Sequence, residues 1–355
     1  MPRAVVCVGL GDPTLPLGSG VLALDPSWVV CPDGLKAGQI RMGVCAASVN
    51  FADPLSVKGE YQVKMPVPFV PGSEASGCVL EVAPGVTAFS PGDRIVAFNQ
   101  GGMYATECVV HESSAWKVPE GVDLAAAATI PVAYGTADLA LRHRANLQPG
   151  QTVLILGASG GVGTAAVQIS KVLGAQVIGV TQGAEKVAYL RSIGSDVVID
   201  LDDCSKERPL HLLIKQHAPR GVHVVIDPVG GTLTGEALRT VAWGAQLVVI
   251  GFAAGGIPKI PANILLVKNT TVHGLYWGSY AQNRPKILRS SMDDILDWLA
   301  RGALRPHVSH RYPLDQVPLA FETLLSRKAK GKVLIMPQLS SSASQDHRHM
   351  TSSKL

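Results

Sequence analysis

From Gln151 onward the chain alternates short apolar runs with helix-forming stretches, and no other feature limits its fold as much. "TVLILG" reads as a strand and "VGTAAVQISKVLG" as a helix; "QVIGVT" and "AEKVAYLRSIG" repeat the pair. "DVVID" precedes a helix around "LHLLIKQHA", "VHVVIDPV" precedes "TGEALRTV", and "AQLVVIG" closes the series, with "TTVHGLYW" as a sixth strand. Strands and helices joined by short connections require a parallel sheet covered on both faces. The remainder lacks this rhythm. Up to about residue 125, runs such as "VCAASVNFADPL", "FSPGDRIVAF" and "YATECVVH" are broken by Gly and Pro, as in a β-rich region with tight turns. "PEGVDLAAAATIPVAYGTADLALRHRANLQPG" then supplies helices. After Gln282, the helix "SSMDDILDWLARG" leads to "HRYPLDQVPLAFETLLSRKAKGKVLIMP", predicted to pair back with the opening segment. The expected architecture is α/β. Residues 1–128 and 282–338 make a β-rich domain, 129–281 make an inserted doubly wound domain, and 339–355 form a disordered tail. A ligand site is expected in the cleft between the two domains.

The turn after the first strand of the alternating region is Ala158-Ser159-Gly160-Gly161-Val162-Gly163. Its spacing is A-x-G-x-x-G, with alanine where the dinucleotide fingerprint has its first glycine. Gly160 lets backbone approach a pyrophosphate and Gly163 lets helix and strand pack closely, with phosphates at the helix N-terminus. Strand before, helix after and a βαβ series beyond are the context this motif needs. The second strand ends at Thr181 with no Asp or Glu to hold ribose hydroxyls, and Glu185 comes later. A 2′-phosphate is then not repelled. Lys186 can pair with it or be an ordinary exposed helix lysine. The balance favours NADPH.

A net charge of +4 with scattered Arg and Lys gives no basis for nucleic acid or membrane binding, and no uncharged apolar run of 18 residues predicts a membrane span. The six cysteines contain no C-x-x-C pair, which argues against a disulfide framework and a cysteine-rich zinc lobe. "MPRAVVCVGLGDP" reads as a strand and turn, not a signal peptide. The tail "QLSSSASQDHRHMTSSKL" ends in Ser353-Lys354-Leu355, which matches the peroxisomal import signal and implies an import receptor as partner. Peroxisomal localisation is expected, with the cytoplasm as the alternative.

Taken together, "AASVNFAD", "PFVPGSEASGCV", "GDRIVAF", "YGTADLAL", "LILGASGGVGTAAVQ", "VIGVTQGAEK", "LVVIGFAAG" and "KGKVLIMP" resemble the zinc-independent quinone oxidoreductases (zeta-crystallin-like) of the medium-chain dehydrogenase/reductase superfamily, from about Arg3 to Pro337. The resemblance implies a GroES-like catalytic domain carrying an inserted Rossmann domain, and a homodimer. Zinc alcohol dehydrogenases of that superfamily keep a Cys where this chain has Asn50, and a His-Glu pair where it has Ser73-Glu74. Asn and Ser are poor zinc ligands, so no metal is expected. The resemblance also places Asn50 near the nicotinamide and Thr136 on its carboxamide. It sets Gly251 and Phe252 at the nicotinamide ribose, and Lys186 and Arg327 on the 2′-phosphate. Leu201 replaces a tyrosine common in the family. Tyr61 matches a tyrosine proposed to donate to the acceptor oxygen; a packed tyrosine on a loop is the equal alternative.

The implied chemistry is hydride transfer from NADPH to a quinone or other conjugated carbonyl. Two other readings stand beside it. One is a 2-enoyl thioester (enoyl-CoA) reductase; the other is a low-turnover NADPH-binding protein. Fold alone does not separate them.

Overall fold

The computed structural model describes residues 1–339; the C-terminal tripeptide Ser353-Lys354-Leu355 lies outside them. The chain divides into two compact units, residues 1–131 together with 308 onward, and residues 132–307.

The terminal unit begins with a small antiparallel pair, β1 (Ala4–Cys7) and β2 (Leu22–Asp25). Next come β3 (Gln39–Val49), α1 (Ala52–Lys58), β4 (Glu74–Val82), β5 (Arg94–Phe98), β6 (Glu107–His111), β7 (Ala115–Lys117) and the short α2 (Leu124–Ala127). Along β3 burial alternates from Gln39 to Cys45 and is then continuous from Ala46 to Val49. The strand therefore starts with one face solvated and ends with both faces covered. Its partner β4 is fully buried over Glu74–Gly77, and the register sets Ser48 opposite Glu74. Polar residues at the join of these strands are thus buried, and must find partners.

The central unit holds α3 (Gly135–Asp138), β8 (Thr152–Ile155), α4 (Gly161–Val172), β9 (Gln176–Thr181), α5 (Ala184–Ser192) and β10 (Val197–Asp200). It continues through α6 (Leu210–His217), β11 (Val222–Asp227), α7 (Gly231–Leu238), β12 (Val241–Val249), α8 (Ala262–Lys268), β13 (Thr271–Gly274), α9 (Tyr280–Asn283) and α10 (Pro285–Ala300). Its six strands are parallel, in the order β10-β9-β8-β11-β12-β13. Winding runs outward from β8 to β10, then restarts on the other side with β11. The reversal between β8 and β11 is where a doubly wound sheet opens a crevice at its carboxyl ends.

The chain rejoins the terminal unit with β14 (Val308–Pro313), α11 (Val317–Leu325) and β15 (Lys332–Met336), giving the sheet β14-β15-β3-β4-β5-β7, with β6 on the opening half of β3. The return is at Val308, later than the expected 282. Helix α10 stays with the central unit because it packs on α3. The buried Asp138 carboxylate accepts hydrogen bonds from Arg142 and Ser291, and Arg142 also bridges to Asp294 at 2.8 Å. The first crossing, after Pro131, lies three residues beyond the expected one.

Candidate functional site

In the central unit the site is built mainly from backbone. After β8 the chain turns at Gly157, whose φ is +59°, so the glycine the turn needs precedes Ala158. Ala158 N–H then bonds to Val180 O of β9 at 2.9 Å. A Cβ on Gly163 would lie 2.4 Å from Gly157 O and 2.6 Å from Ala158 Cα, so helix α4 seats against the turn only with glycine there. Gly160 caps α4 in extended conformation, and its own Cβ would meet only Gly157 O, at 3.4 Å. Thr164 N–H is the first to bond back, to Gly160 O at 2.8 Å. The amides of Gly161, Val162 and Gly163 therefore lie ahead of the helix's own ladder, where an anion is favoured. Ser159 and Thr181 are both buried, and Thr181 Oγ1 donates to Ser159 Oγ at 2.8 Å, tying the turn to the end of β9.

Across the reversal, buried Asp227 accepts the amides of Val229 and Gly230 and the Thr234 hydroxyl, fixing the loop after β11. The loop after β12 leans on it: Ala253 N–H bonds to Pro228 O, and a Cβ on Gly230 would meet Phe252 Cδ1 at 2.9 Å. Gly251 and Phe252 are half-buried there. Thr136 is buried in α3, which packs beside α4. The structure thus sets Ser159, Gly160, Thr181, Gly251 and Phe252 at or just beyond the carboxyl ends of β8, β9 and β12, Gly161, Val162 and Gly163 in the first turn of α4, and Thr136 on α3.

Lys186 is half-buried on α5. Two acids that strand β9 does not contain reach the turn before α5. Asp200 Oδ1 accepts the Gly183 amide at 2.9 Å, and Asp202 Oδ1 accepts Gln182 Nε2 at 2.9 Å. They come from the end of the third parallel strand and the turn after it, not the second, so a reading of β9 alone misses them. Arg327 belongs to the terminal unit and follows α11 with φ +58°. Trp277 and Tyr280 are buried in the central unit, Trp277 against Gly135 and Tyr280 edge-on to His143.

In the terminal unit the site is built from charged side chains. Lys332 opens β15. Because Val333 pairs with Val49, the antiparallel register carries Lys332 to the level of Asn50. The Lys332 ammonium donates to Asn50 Oδ1 at 2.6 Å, Glu74 Oε1 at 3.0 Å and Val49 O at 3.4 Å. Asn50 Nδ2 donates to the same Glu74 oxygen at 2.9 Å. Glu74 is 0% and Lys332 4% exposed, so the ion pair is desolvated and each charge depends on the other. Asp53 forms the second half of the cluster. Its carboxylate accepts the Asn50 amide and the Tyr104 hydroxyl, each at 2.8 Å, and the Ser73 hydroxyl at 3.2 Å. Burial pushes the Asp53 carboxyl up to about 6 with Glu74 adding to the rise; the Asn50 amide, the Tyr104 hydroxyl and Lys332 oppose it. Burial, and then Asp53, likewise raise the Tyr104 phenol. Tyr61 lies after α1, its amide on Leu55 O at 3.2 Å.

This cluster already holds a cation: Asn50 Oδ1 and Glu74 Oε1 face the Lys332 ammonium, and a metal ion there would meet like charge beside an amide and a hydroxyl, which are poor zinc ligands. Among the described residues no group of three or more His, Cys, Asp or Glu is arranged to hold a metal ion, and no helix is long and apolar enough to cross a membrane.

Residues 36–120 match the family model "Alcohol dehydrogenase GroES-like domain", and residues 161–300 match "Zinc-binding dehydrogenase". The chain is 40% identical to the quinone oxidoreductase-like protein 2 homolog of Nematostella vectensis over 94% of this chain and 88% of that one. Among solved structures, mycobacterial Rv1454c complexed with NADPH superposes with a TM-score of 0.84 at 28% identity, over 95% of this chain and all of that one. The Escherichia coli quinone oxidoreductase complexed with NADPH gives a TM-score of 0.83 at 25% identity, over 94% of this chain and all of that one.

Proposed function

The chain belongs to the quinone oxidoreductase family of the medium-chain dehydrogenase/reductase superfamily, and on that premise we propose that it binds NADPH and reduces a quinone or related conjugated carbonyl without a metal ion. Two observations carry this reading: a glycine-built anion cradle at the head of α4, and a buried cluster in which the Lys332 ammonium is the cation held by Asn50 and Glu74. Bound NADPH supplies the hydride. Gly160 and the leading amides of α4 would hold its pyrophosphate, and Lys186 on α5 would hold its 2′-phosphate.

Negative charge that develops on the acceptor oxygen needs hydrogen-bond donors. Asn50 offers one. One Nδ2 hydrogen is committed to Glu74, while the other has only long contacts, 3.4 Å to Ser73 Oγ and 3.4 Å to Ser48 O. The Tyr61 hydroxyl is proposed as the second.

The test is steady-state NADPH oxidation by chelator-treated protein of measured zinc content, with 9,10-phenanthrenequinone and separately with crotonyl-CoA. Quinone-dependent oxidation at sub-stoichiometric zinc is the expected result. Turnover only of crotonyl-CoA would move the chain to enoyl thioester reduction. NADPH binding without turnover of either would make it a binding protein, and a zinc requirement would end the metal-free reading. We also propose delivery to peroxisomes through Ser353-Lys354-Leu355. A tagged chain should lose punctate localisation when the tripeptide is deleted; unchanged puncta would reject this.

A further inference from the structure

We propose that Lys332 is a positioning residue: with Glu74 it locks the Asn50 carboxamide in one orientation, so that this position offers an acceptor an N–H and never a C=O. The inference rests on the reading of Asn50 as a donor to the acceptor, and it gives that position a specificity for ligands bearing a carbonyl oxygen.

Three side chains close a small ring. Lys332 Nζ donates to Asn50 Oδ1 and to Glu74 Oε1, and Asn50 Nδ2 donates to that same Glu74 oxygen. Turning the amide over would set its NH2 against the ammonium and its carbonyl against the carboxylate. Both contacts would become repulsive, in a place where neither charge reaches water. An asparagine in a polar, solvated turn flips freely; this one cannot. Its backbone is pinned as well, because Asn50 N–H donates to Asp53 and Asn50 O accepts the Asp53 amide at 3.0 Å. What the ring leaves available is the second Nδ2 hydrogen, on the side of Ser73, the one half-exposed member among otherwise buried residues. A carbonyl oxygen gaining charge is matched to that hydrogen; a hydroxyl that must donate is not. The lysine itself is spent on protein oxygens, so it acts through Asn50 and does not touch the acceptor.

Two measurements test this. In the unaltered protein, the Asn50 side-chain NH2 signals, assigned by their loss in Asn50→Asp, should exchange with solvent at least ~100-fold more slowly than those of exposed Asn99. Equal exchange would overturn the proposal without any variant having to fold. The double variant Lys332→Met/Glu74→Gln removes the paired charges together and leaves Asp53, held by the Asn50 amide and the Tyr104 and Ser73 hydroxyls, as the remaining carboxyl of the cluster. Its NADPH affinity should stay within about twofold, showing an intact nucleotide site, while its kcat with the quinone falls at least ~10-fold and Asn50 exchange accelerates. Lys332→Arg, which retains a cationic donor, should recover most of the kcat. A double variant with parental kcat and parental exchange would sink the assignment. If the unaltered protein turns over neither quinone nor enone, the functional reading fails on its own, and the exchange measurement still decides whether the amide is locked.

Discussion

The two units build their candidate sites by opposite means. The central unit uses backbone: left-handed Gly157, a cap at Gly160 and the missing Cβ of Gly163 shape a space for phosphate. The terminal unit uses side-chain charge: a lysine, two carboxylates and an amide, buried together and satisfied by one another. A backbone site should tolerate changes of charge and fail at the addition of one carbon. A charge cluster should tolerate changes of volume and fail when a single charge is left alone.

The strongest way to break that contrast is Gly163→Val. Its Cβ would fall within 2.6 Å of backbone atoms of Gly157 and Ala158 that cannot move aside. NADPH binding should be lost, seen as the absence of nucleotide fluorescence enhancement, whereas Gly160→Ala should fold and weaken binding about tenfold. Next is Lys332→Met, which leaves the buried Glu74 carboxylate without the Lys332 charge; urea melts should show a loss of about 3–5 kcal/mol. If the loss were below about 1 kcal/mol, the pair would not be the closed unit its burial indicates.

The Asp53 carboxyl supplies a pH test of the same cluster. Its value of about 6 in the fold lies above the ordinary 3.8 of an unfolded chain, so the folded state binds the extra proton between those limits. Its contribution is complete below about pH 4 and is lost as pH rises through 6, a change of about 3 kcal/mol. Asp53→Asn should remove that slope. Urea midpoints at pH 4 and pH 7, compared between the two proteins, check it. The smallest effects concern cofactor choice. Lys186→Ala should weaken NADPH about tenfold and NADH hardly at all, while Asp202→Asn should tighten NADPH about twofold. Equal losses for both nucleotides in Lys186→Ala would remove the phosphate assignment.

The same contrast explains what the sequence made legible. The parallel sheet and its glycine turn are local patterns: each strand, turn and helix is contiguous, and period and glycine spacing report them directly. Strands β8 through β13 fall where the apolar runs place them. The charge cluster is not local. Asn50 and Lys332 are separated by 282 positions, and only the register of β15 on β3 brings them together. Asn50 and Ser73 are visible as departures from a zinc pattern, and Glu74 as the residue beside one. Lys332 looked like any lysine in "KGKVLIM", although a lysine opening an otherwise apolar strand was the available signal. Tyr104 and Asp200 were missed for the same reason, since their partners come from other elements. The Val308 crossing was missed because α10 is held to α3 by Asp138, Arg142 and Ser291, contacts that helix periodicity does not reveal.

Strand β15 lies between β14 and β3, inside its sheet and not at the edge. As a ribosome makes this chain, residues 132–307 emerge as one continuous piece and can complete their unit while β3 and β4 are still waiting. Until Lys332 arrives, the Glu74 carboxylate lacks its counter-ion and β3 lacks a neighbour. The central unit is therefore ready first, and the charge cluster of the terminal unit closes only when β15 brings Lys332 to Asn50 and Glu74.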